Sequence, residues 1–269
     1  MEQKAYHGTP AARRLAELSA RLRAKFRTVD VPLTLPWSGT HCSILQPATF
    51  DRLLTAAARD PEQNLPYWAT IWPSGVALAD AILGQPELVR NKQVLELGCG
   101  LGTTAVGALA AGADLLVTDY SSESLLLCRM NTLLNVGVEP QTLQLNWRDP
   151  SPVLLAQAPF PVVLAADVLY EGRDVEPLWA LLARILLPGG TLWLAEPGRP
   201  PAQRFVQVAK LAGWHEDLIE HPGPWPDPDD EGVVVRLHKL TKPMMDDDND
   251  DDFTVSFVAV SNLSSADVQ

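Results

Sequence analysis

Three closely spaced glycines and two acids form the most informative pattern in this chain. The segment VLELGCGLGT places Gly98, Gly100 and Gly102 directly after an apolar run. Glycine has no Cβ, which lets the backbone turn sharply and lets a ligand approach it closely. Glu96 lies two residues before the first glycine, and Asp119 follows 23 residues after Glu96. The pattern predicts a ligand site in which two carboxylates flank a glycine loop.

The glycine spacing distinguishes between classes of nucleotide ligand. A dinucleotide fingerprint is G-x-G-x-x-G, with the pyrophosphate on a helix N-terminus. Here the third glycine comes one residue early, and Thr103 follows it. A Walker loop needs Gly-Lys before Ser or Thr, which this segment lacks. S-adenosylmethionine carries an ammonium and a sulfonium, so an acid beside the loop suits it better than a pyrophosphate.

The elements that must hold these residues alternate regularly from residue 92 onward. Apolar strand patterns separated by helical patterns predict a parallel sheet with helices on both faces. Asp119 then lies at the tip of the second strand, where it can accept hydrogen bonds from both ribose hydroxyls. We expect strands at 94–97, 115–119, 142–145, 162–166 and 191–196, and an antiparallel edge hairpin formed by 214–220 and 232–240.

With these features in place, the chain resembles the class I, seven-strand S-adenosylmethionine-dependent methyltransferases over residues 65–240. The resemblance implies a Rossmann-like α/β fold with a mostly parallel sheet of strand order 3-2-1-4-5-7-6, the last strand antiparallel, and helices on both faces. It also implies S-adenosyl-L-methionine as the cofactor. By the same resemblance, the predicted cofactor contacts include Glu96, Gly98, Gly100, Gly102 and Asp119.

Three further segments resemble the lysine-methyltransferase-like branch, which includes sequences labelled as predicted nicotinamide N-methylases. They are YWATIWPSG before the first strand, LNW after the third and ADVLY after the fourth. By this resemblance, Trp72, Trp147 and Ala166 contact the cofactor, and Asp167 and Tyr170 are active-site residues.

Each of these residues also has a plainer interpretation. An aromatic face attracts a sulfonium as it does an ammonium, but Trp72 and Trp147 could equally belong to the core. Asp167 ends a buried strand, where open α/β sheets bind ligands, although an acid there can also cap a helix. Tyr170 either lines the acceptor channel or packs against its neighbours.

The resemblance implies a methyltransferase, with N-methylation of a protein lysine favoured. A small amine or pyridine ring is the second choice of acceptor, and another protein side chain such as histidine is the third. A protein partner is therefore expected. Two other classes remain as alternatives: a methyltransferase fold without catalysis, and an NAD-dependent oxidoreductase. The sequence does not reveal the oligomeric state.

Composition excludes several other classes of function. The net charge is −12, but residues 243–269 hold seven Asp and no Lys or Arg, which leaves −5 for the remainder. Neither part has the basic surface that nucleic-acid binding needs. No apolar run is long enough for a membrane span. Three scattered cysteines and five histidines without ligand spacing argue against a disulfide framework or a metal site, and favour a cytoplasmic location.

The chain divides into three predicted parts. Residues 1–64 are expected to form an N-terminal helix, over 11–27, followed by an irregular cap. Residues 65–242 correspond to the methyltransferase-like domain. Residues 243–269 form an acidic tail that is expected to be disordered, because like charges at that density repel one another.

Overall fold

The sheet at the centre of the protein has seven strands. In the computed structural model, which describes residues 10–59 and 65–244, its order is β5-β4-β3-β6-β7-β9-β8. The strands are β1 (Thr28–Thr34), β2 (His41–Pro47), β3 (Gln93–Leu97), β4 (Asp114–Asp119), β5 (Gln141–Gln144), β6 (Phe160–Ala166), β7 (Leu186–Glu196), β8 (His215–His221) and β9 (Val235–Thr241). The helices are α1 (Pro10–Lys25), α2 (Asp51–Ala57), α3 (Pro73–Gly84), α4 (Thr103–Ala110), α5 (Ser122–Val136), α6 (Pro152–Leu155), α7 (Val175–Ile185) and α8 (Pro200–Leu211).

The strand order confirms the topology expected from the sequence. Counted from β3, it reads 3-2-1-4-5-7-6, and β9 is antiparallel to both of its neighbours. The four pairings among β3 to β7 are parallel. The carboxyl ends of these five strands therefore meet at one edge of the sheet.

Burial on two faces explains why the central strands are mostly apolar. In β3, Val94 joins the core beneath α3 and α4, whereas Leu95 and Leu97 join the core beneath α7 and α8, and Glu96 is a buried polar exception. Successive side chains of a strand point to opposite faces, so a sheet covered on both sides favours apolar residues at most positions. Each such Leu or Val contributes roughly 1.5–3 kcal/mol through burial.

The N-terminal region is more regular than the sequence analysis predicted. Residues 28–64 were expected to be irregular, with short strand-like pieces at 29–35 and 43–45 broken by prolines. These pieces correspond to β1 and β2, which pair antiparallel in a continuous register, and α2 follows. The prolines caused the error. Pro32 lies within β1, where a two-stranded sheet leaves each strand a free edge that needs no N–H donor. The apolar side of α1, including Leu18 and Leu22, packs in one core with this hairpin and α5.

A buried polar contact fixes the turn of this hairpin to the main sheet. The carboxylate of Asp80 in α3 accepts the backbone N–H of Trp37 at 2.6 Å and of Ser38 at 2.8 Å. The Trp37 ring stacks on His221 of β8 with a centroid distance of 3.7 Å. The hairpin is therefore attached through both its apolar face and its turn.

Two predicted features concern only part of the described chain. Of the expected acidic tail, residues 243–269, the structure describes Pro243 and Met244, and the rest lies outside the described residues. Within 10–59 and 65–244, no helix combines the length and the apolarity that crossing a bilayer requires.

Candidate active site

A cavity of about 810 Å³ opens at the carboxyl edge of the sheet. Its lining includes one residue at or just after the end of each of the five parallel strands: Gly98, Asp119, Trp147, Asp167 and Arg199. Open α/β sheets bind their ligands at this edge, and the volume suits a nucleoside-sized ligand.

Most of the residues predicted from the sequence meet in this cavity. Those in its lining are Trp72, Gly98, Gly100, Asp119, Trp147, Ala166, Asp167 and Tyr170. Glu96 and Gly102 do not line it. Glu96 points from β3 into the interior, and Gly102 begins α4, so both lie behind the cavity wall.

The three loop glycines share a left-handed backbone but meet different neighbours. Gly98, Gly100 and Gly102 have φ of +69°, +53° and +84°. A Cβ on Gly102 would lie 2.8 Å from the Cα of Cys128 in α5. A Cβ on Gly100 would project to 3.6 Å from the backbone oxygen of Trp68. Gly102 therefore permits close helix packing, whereas Gly100 keeps open the space before Trp68.

The two acids beside the loop are both buried, and neither has a cationic partner among the described residues. Asp119 accepts the backbone N–H of Gly100 at 3.0 Å and of Ser121 at 2.9 Å. Burial raises the pKa of Asp119, although these N–H groups oppose the shift. Glu96 has an Oε2 atom without a hydrogen-bond partner. Burial and the nearby charge of Asp119 raise the pKa of Glu96 well above its usual value.

Helix α5 fastens the glycine loop from behind. Ser124 donates a hydrogen bond from Oγ to the carbonyl of Gly100 at 2.8 Å. Asn131 donates to the carbonyls of Leu101 at 2.8 Å and of Leu45 at 3.0 Å. The loop is therefore positioned by polar contacts that also connect it to the N-terminal hairpin.

Aromatic side chains form one side of the cavity. The Trp72 indole donates to the carbonyl of Tyr67 at 2.7 Å, and the Tyr67 ring lies edge-on to Tyr170 with a centroid distance of 5.1 Å. The Trp147 indole donates to Asp174 at 3.0 Å. Burial, followed by the negative charges of Asp174 and Glu171, raises the pKa of Tyr170 above its usual value. The Tyr170 hydroxyl therefore stays protonated at neutral pH.

Asp167 forms a two-point ion pair with Arg199. The two carboxylate oxygens accept from Nε at 2.5 Å and from Nη2 at 2.7 Å. Asp167 has a left-handed backbone, with φ of +53°, and its N–H donates to the carbonyl of Ala195 in β7. Arg199 directly precedes α8, and its own backbone N–H donates to Glu196 at 2.7 Å.

Most other charged groups in the lining are also paired. Lys25 pairs with Glu123, and Arg148 pairs with Asp174. Among the described residues, no group of three or more His, Cys, Asp or Glu side chains could hold a metal ion. The charged and phenolic groups of the cavity are thus carboxylates, guanidinium groups, the Lys25 ammonium and tyrosine hydroxyls.

Comparison with known proteins identifies the family. Residues 62–209, more than half of the chain, match the family model described as Lysine methyltransferase. The chain belongs to the lysine methyltransferase family. The family resemblance expected from the sequence is confirmed.

Two curated relatives of this lysine methyltransferase family member act on proteins, according to their names. The rat electron transfer flavoprotein beta subunit lysine methyltransferase is 33% identical over 50% of this chain and 52% of its own length. The histone-arginine methyltransferase METTL23 of Xenopus laevis is 30% identical over 48% of this chain and 57% of its own length. The chain thus spans about half the length of these relatives.

A solved structure agrees with the fold. The N-methyltransferase NodS from Bradyrhizobium japonicum, crystallised with S-adenosyl-L-homocysteine, aligns with a TM-score of 0.50 at 16% identity. The alignment covers 72% of this chain and all of NodS. At this identity the likeness extends to the fold alone.

Several residues of the cavity in this family member were not predicted from the sequence. Arg199 follows the end of β7 by three residues, and Asp167 directly follows the end of the neighbouring strand β6. An arginine after one strand and an acid after its neighbour were a readable signal for a pair. Lys25, the last residue of α1, and Phe26, which follows it, also line the cavity, but no local pattern indicates where that helix docks.

Proposed function

We propose that this protein is an S-adenosylmethionine-dependent methyltransferase that methylates a lysine side chain of a protein substrate. The observation that carries the proposal is one cavity in which Gly100 and Asp119 face the same space as Asp167 and Tyr170. Family membership supports methyl transfer, and the names of the curated relatives support a protein acceptor.

The end of the cavity near β3 and β4, here called the cofactor end, fits an adenosyl ligand. Asp119 offers a buried carboxylate at the tip of β4, where ribose hydroxyls can donate to it. Gly100 leaves room that a Cβ would occupy. Trp72 and Trp147 supply aromatic surface, to which a sulfonium is attracted. When bound, S-adenosylmethionine supplies a methyl group activated for nucleophilic displacement.

The end near β6 and β7, here called the acceptor end, would orient the amine. A lysine must be uncharged to use its lone pair, and desolvation among Tyr67, Trp72 and Tyr170 favours the uncharged form. Asp167 would accept a hydrogen bond from the amine, and the Tyr170 hydroxyl would help to position it. The contribution of these residues is alignment, which is the main requirement for in-line displacement.

Labelling of a cell extract tests the proposal. Wild-type protein and Asp167→Ala are incubated with tritiated S-adenosylmethionine and extract, and the protein-bound label is separated from the small-molecule label. Exposed Asp149 lies outside the cavity lining, so Asp149→Ala is the matched control. We expect methyl-lysine in hydrolysed protein for wild type and Asp149→Ala, and none for Asp167→Ala.

The other outcomes separate the alternatives. Methyl-arginine in the hydrolysed protein would indicate that the acceptor is arginine and not lysine. Label in small molecules would favour a nicotinamide-like substrate. Cofactor binding without any label would indicate a fold without catalysis, and binding of NADH instead of S-adenosylmethionine would indicate an oxidoreductase.

We also propose a reducing, cytoplasmic setting for this activity. Cys42, Cys99 and Cys128 are all free thiols. Cys99 in the glycine loop and Cys128 in α5 are both buried, and oxidation there would disturb the packing of the loop on α5. Fluorescent tagging with cell fractionation tests the location.

A further inference from the structure

Arg199 is the cation that opposes Asp167 inside the cavity, and nothing in the sequence analysis gave it a role. We propose that Arg199 is a positioning residue that neutralises Asp167 and thereby keeps the acceptor amine uncharged at the point of methyl transfer. The inference rests on the proposed function, because it requires Asp167 to face the acceptor.

The chemical problem is that a lone carboxylate would work against the reaction. A carboxylate beside an amine favours the ammonium form and raises its pKa. An ammonium has no lone pair with which to attack a methyl group. A carboxylate already paired with a guanidinium has no net charge, but an oxygen of Asp167 can still accept a hydrogen bond from an uncharged amine.

The geometry suits this role because Arg199 engages both carboxylate oxygens. Two parallel N–H···O bonds, at 2.5 and 2.7 Å, fix the plane of the Asp167 carboxylate as well as its charge. The Arg199 side chain is 35% exposed and lines the cavity, whereas that of Asp167 is 6% exposed. The pair therefore lies in the cavity wall, with a buried carboxylate and a partly exposed guanidinium.

A buried carboxylate holds the turn that carries Arg199. Glu196, which is 1% exposed, accepts the N–H of both Gly198 and Arg199 through one oxygen. Its other oxygen lies 3.3 Å from Nε2 of His238. The turn that carries the guanidinium is thus held by a buried carboxylate, which also contacts His238.

The surrounding charges do not replace Arg199. Lys25 and Arg148 are each paired with another acid. Asp230 adds a negative charge that interacts with Asp167. The titratable groups among the described residues that face the cavity or this pair are Lys25, Tyr67, Asp119, Tyr120, Glu123, Arg148, Tyr170, Glu171, Asp174, Glu196, Asp230 and Arg236, and Arg236 pairs with Glu196 and Glu220. Removal of Arg199 would leave the Asp167 charge unopposed at close range.

A pair of cofactor analogues tests the proposal without a known acceptor. Sinefungin carries a primary amine where S-adenosylmethionine carries its methyl group, and S-adenosylhomocysteine has nothing there. Calorimetry gives the ratio of their affinities for wild type, Arg199→Met and Arg199→Lys. Arg204→Met is the matched control, because Arg204 is exposed on α8, the helix that follows Arg199, and lies outside the lining.

We expect Arg199→Met to shift the ratio about tenfold toward sinefungin, because its ammonium would meet an unopposed carboxylate. Arg199→Lys retains the charge and should stay within about twofold of wild type, as should Arg204→Met. S-adenosylhomocysteine affinity should not change. If Arg199→Met is unfolded, Arg199→Gln makes the same measurement.

Two results would overturn the proposal. One is an unchanged ratio of the two affinities in Arg199→Met, when this variant still binds S-adenosylhomocysteine normally. The other is an equal shift of the affinity ratio in Arg199→Lys, which would show that the effect depends on the two-point geometry of the guanidinium and not on its charge. Failure of the wild type to bind S-adenosylhomocysteine would instead contradict the proposed methyltransferase function. That outcome is distinguishable from a failure of the Arg199 proposal, in which the wild type still binds S-adenosylhomocysteine.

Discussion

The buried carboxylates at the two ends of the cavity differ in whether a cation is paired with them. At the cofactor end, Asp119 has no cationic partner among the described residues, and its hydrogen-bond donors include the N–H groups of Gly100 and Ser121 and the side chain of Ser124. At the acceptor end, Asp167 is bound at two points by Arg199. Both Asp119 and Asp167 lie at tips of parallel strands of the same sheet.

The difference follows from the charge that each end has to accommodate. A ligand that stays cationic throughout binding is stabilised by acids without a partner, since a buried charge is costly unless it is compensated. An amine that must lose its proton is hindered by the same arrangement. One fold can therefore place a carboxylate at each strand tip and adjust its effect by adding or omitting a cation.

The largest effect is expected at the acceptor end. Asp167→Ala should lower turnover by at least about a hundredfold, because the amine loses the group that orients it. Affinity for S-adenosylhomocysteine should stay within a few-fold of wild type. Steady-state rates check the turnover and calorimetry checks the affinity, both on the same preparation. Retained turnover would show that Asp167 has no part in the mechanism.

The next effect is expected at the cofactor end. Asp119→Ala should weaken S-adenosylmethionine binding by about 10- to 100-fold, as for loss of hydrogen bonds to a charged group. Asp114 begins the same strand and is exposed, so Asp114→Ala is a matched control with unchanged affinity. Equal affinities for the two variants would contradict the ribose role of Asp119.

A smaller effect separates the wall of the cavity from its support. Gly102→Ala should lower the free energy of unfolding by about 1–3 kcal/mol, because its Cβ would overlap Cys128 in a packed core. Gly137 also has a positive φ but an open environment, so Gly137→Ala isolates the backbone cost alone. Urea denaturation should show the larger loss for Gly102→Ala, and similar losses would mean that α4 and α5 can move apart.

The smallest effect concerns Glu96 and depends on pH. Its pKa is raised on folding, so the unfolded chain loses the proton near 4.5 while the folded protein retains it. Wild-type stability should therefore fall as pH rises above that value. Glu96→Gln removes this dependence, and its stability relative to wild type should increase between pH 5 and pH 8 in urea titrations. A constant difference would show that Glu96 ionises in the folded protein.

The fold was readable from the sequence because its signals are local. Alternating apolar strands and helices, the edge hairpin near 214–240 and the glycine loop each carry their own pattern over a few residues. Asp119 and Asp167 could be placed at strand tips for the same reason, since a strand that ends in an acid is visible in one dimension.

What the sequence could not provide depends on contacts between distant segments. The contact of α1 with the cavity through Lys25 is an example. The inward direction of Glu96 is another, because adjacent positions of a strand differ only in the face they point to. The hairpin of β1 and β2 was obscured by prolines, which weaken a strand pattern without forbidding an edge strand.

The left-handed backbone at Asp167 favours residues other than the one that the proposed chemistry requires. Glycine and asparagine adopt this conformation with less strain than most residues, so either would suit the turn between β6 and its following loop. Neither supplies a carboxylate. In a library selected for heat resistance alone, relief of this strain would compete with loss of the Asp167–Arg199 pair, so persistence of Asp at this position would measure how much the pair contributes to stability.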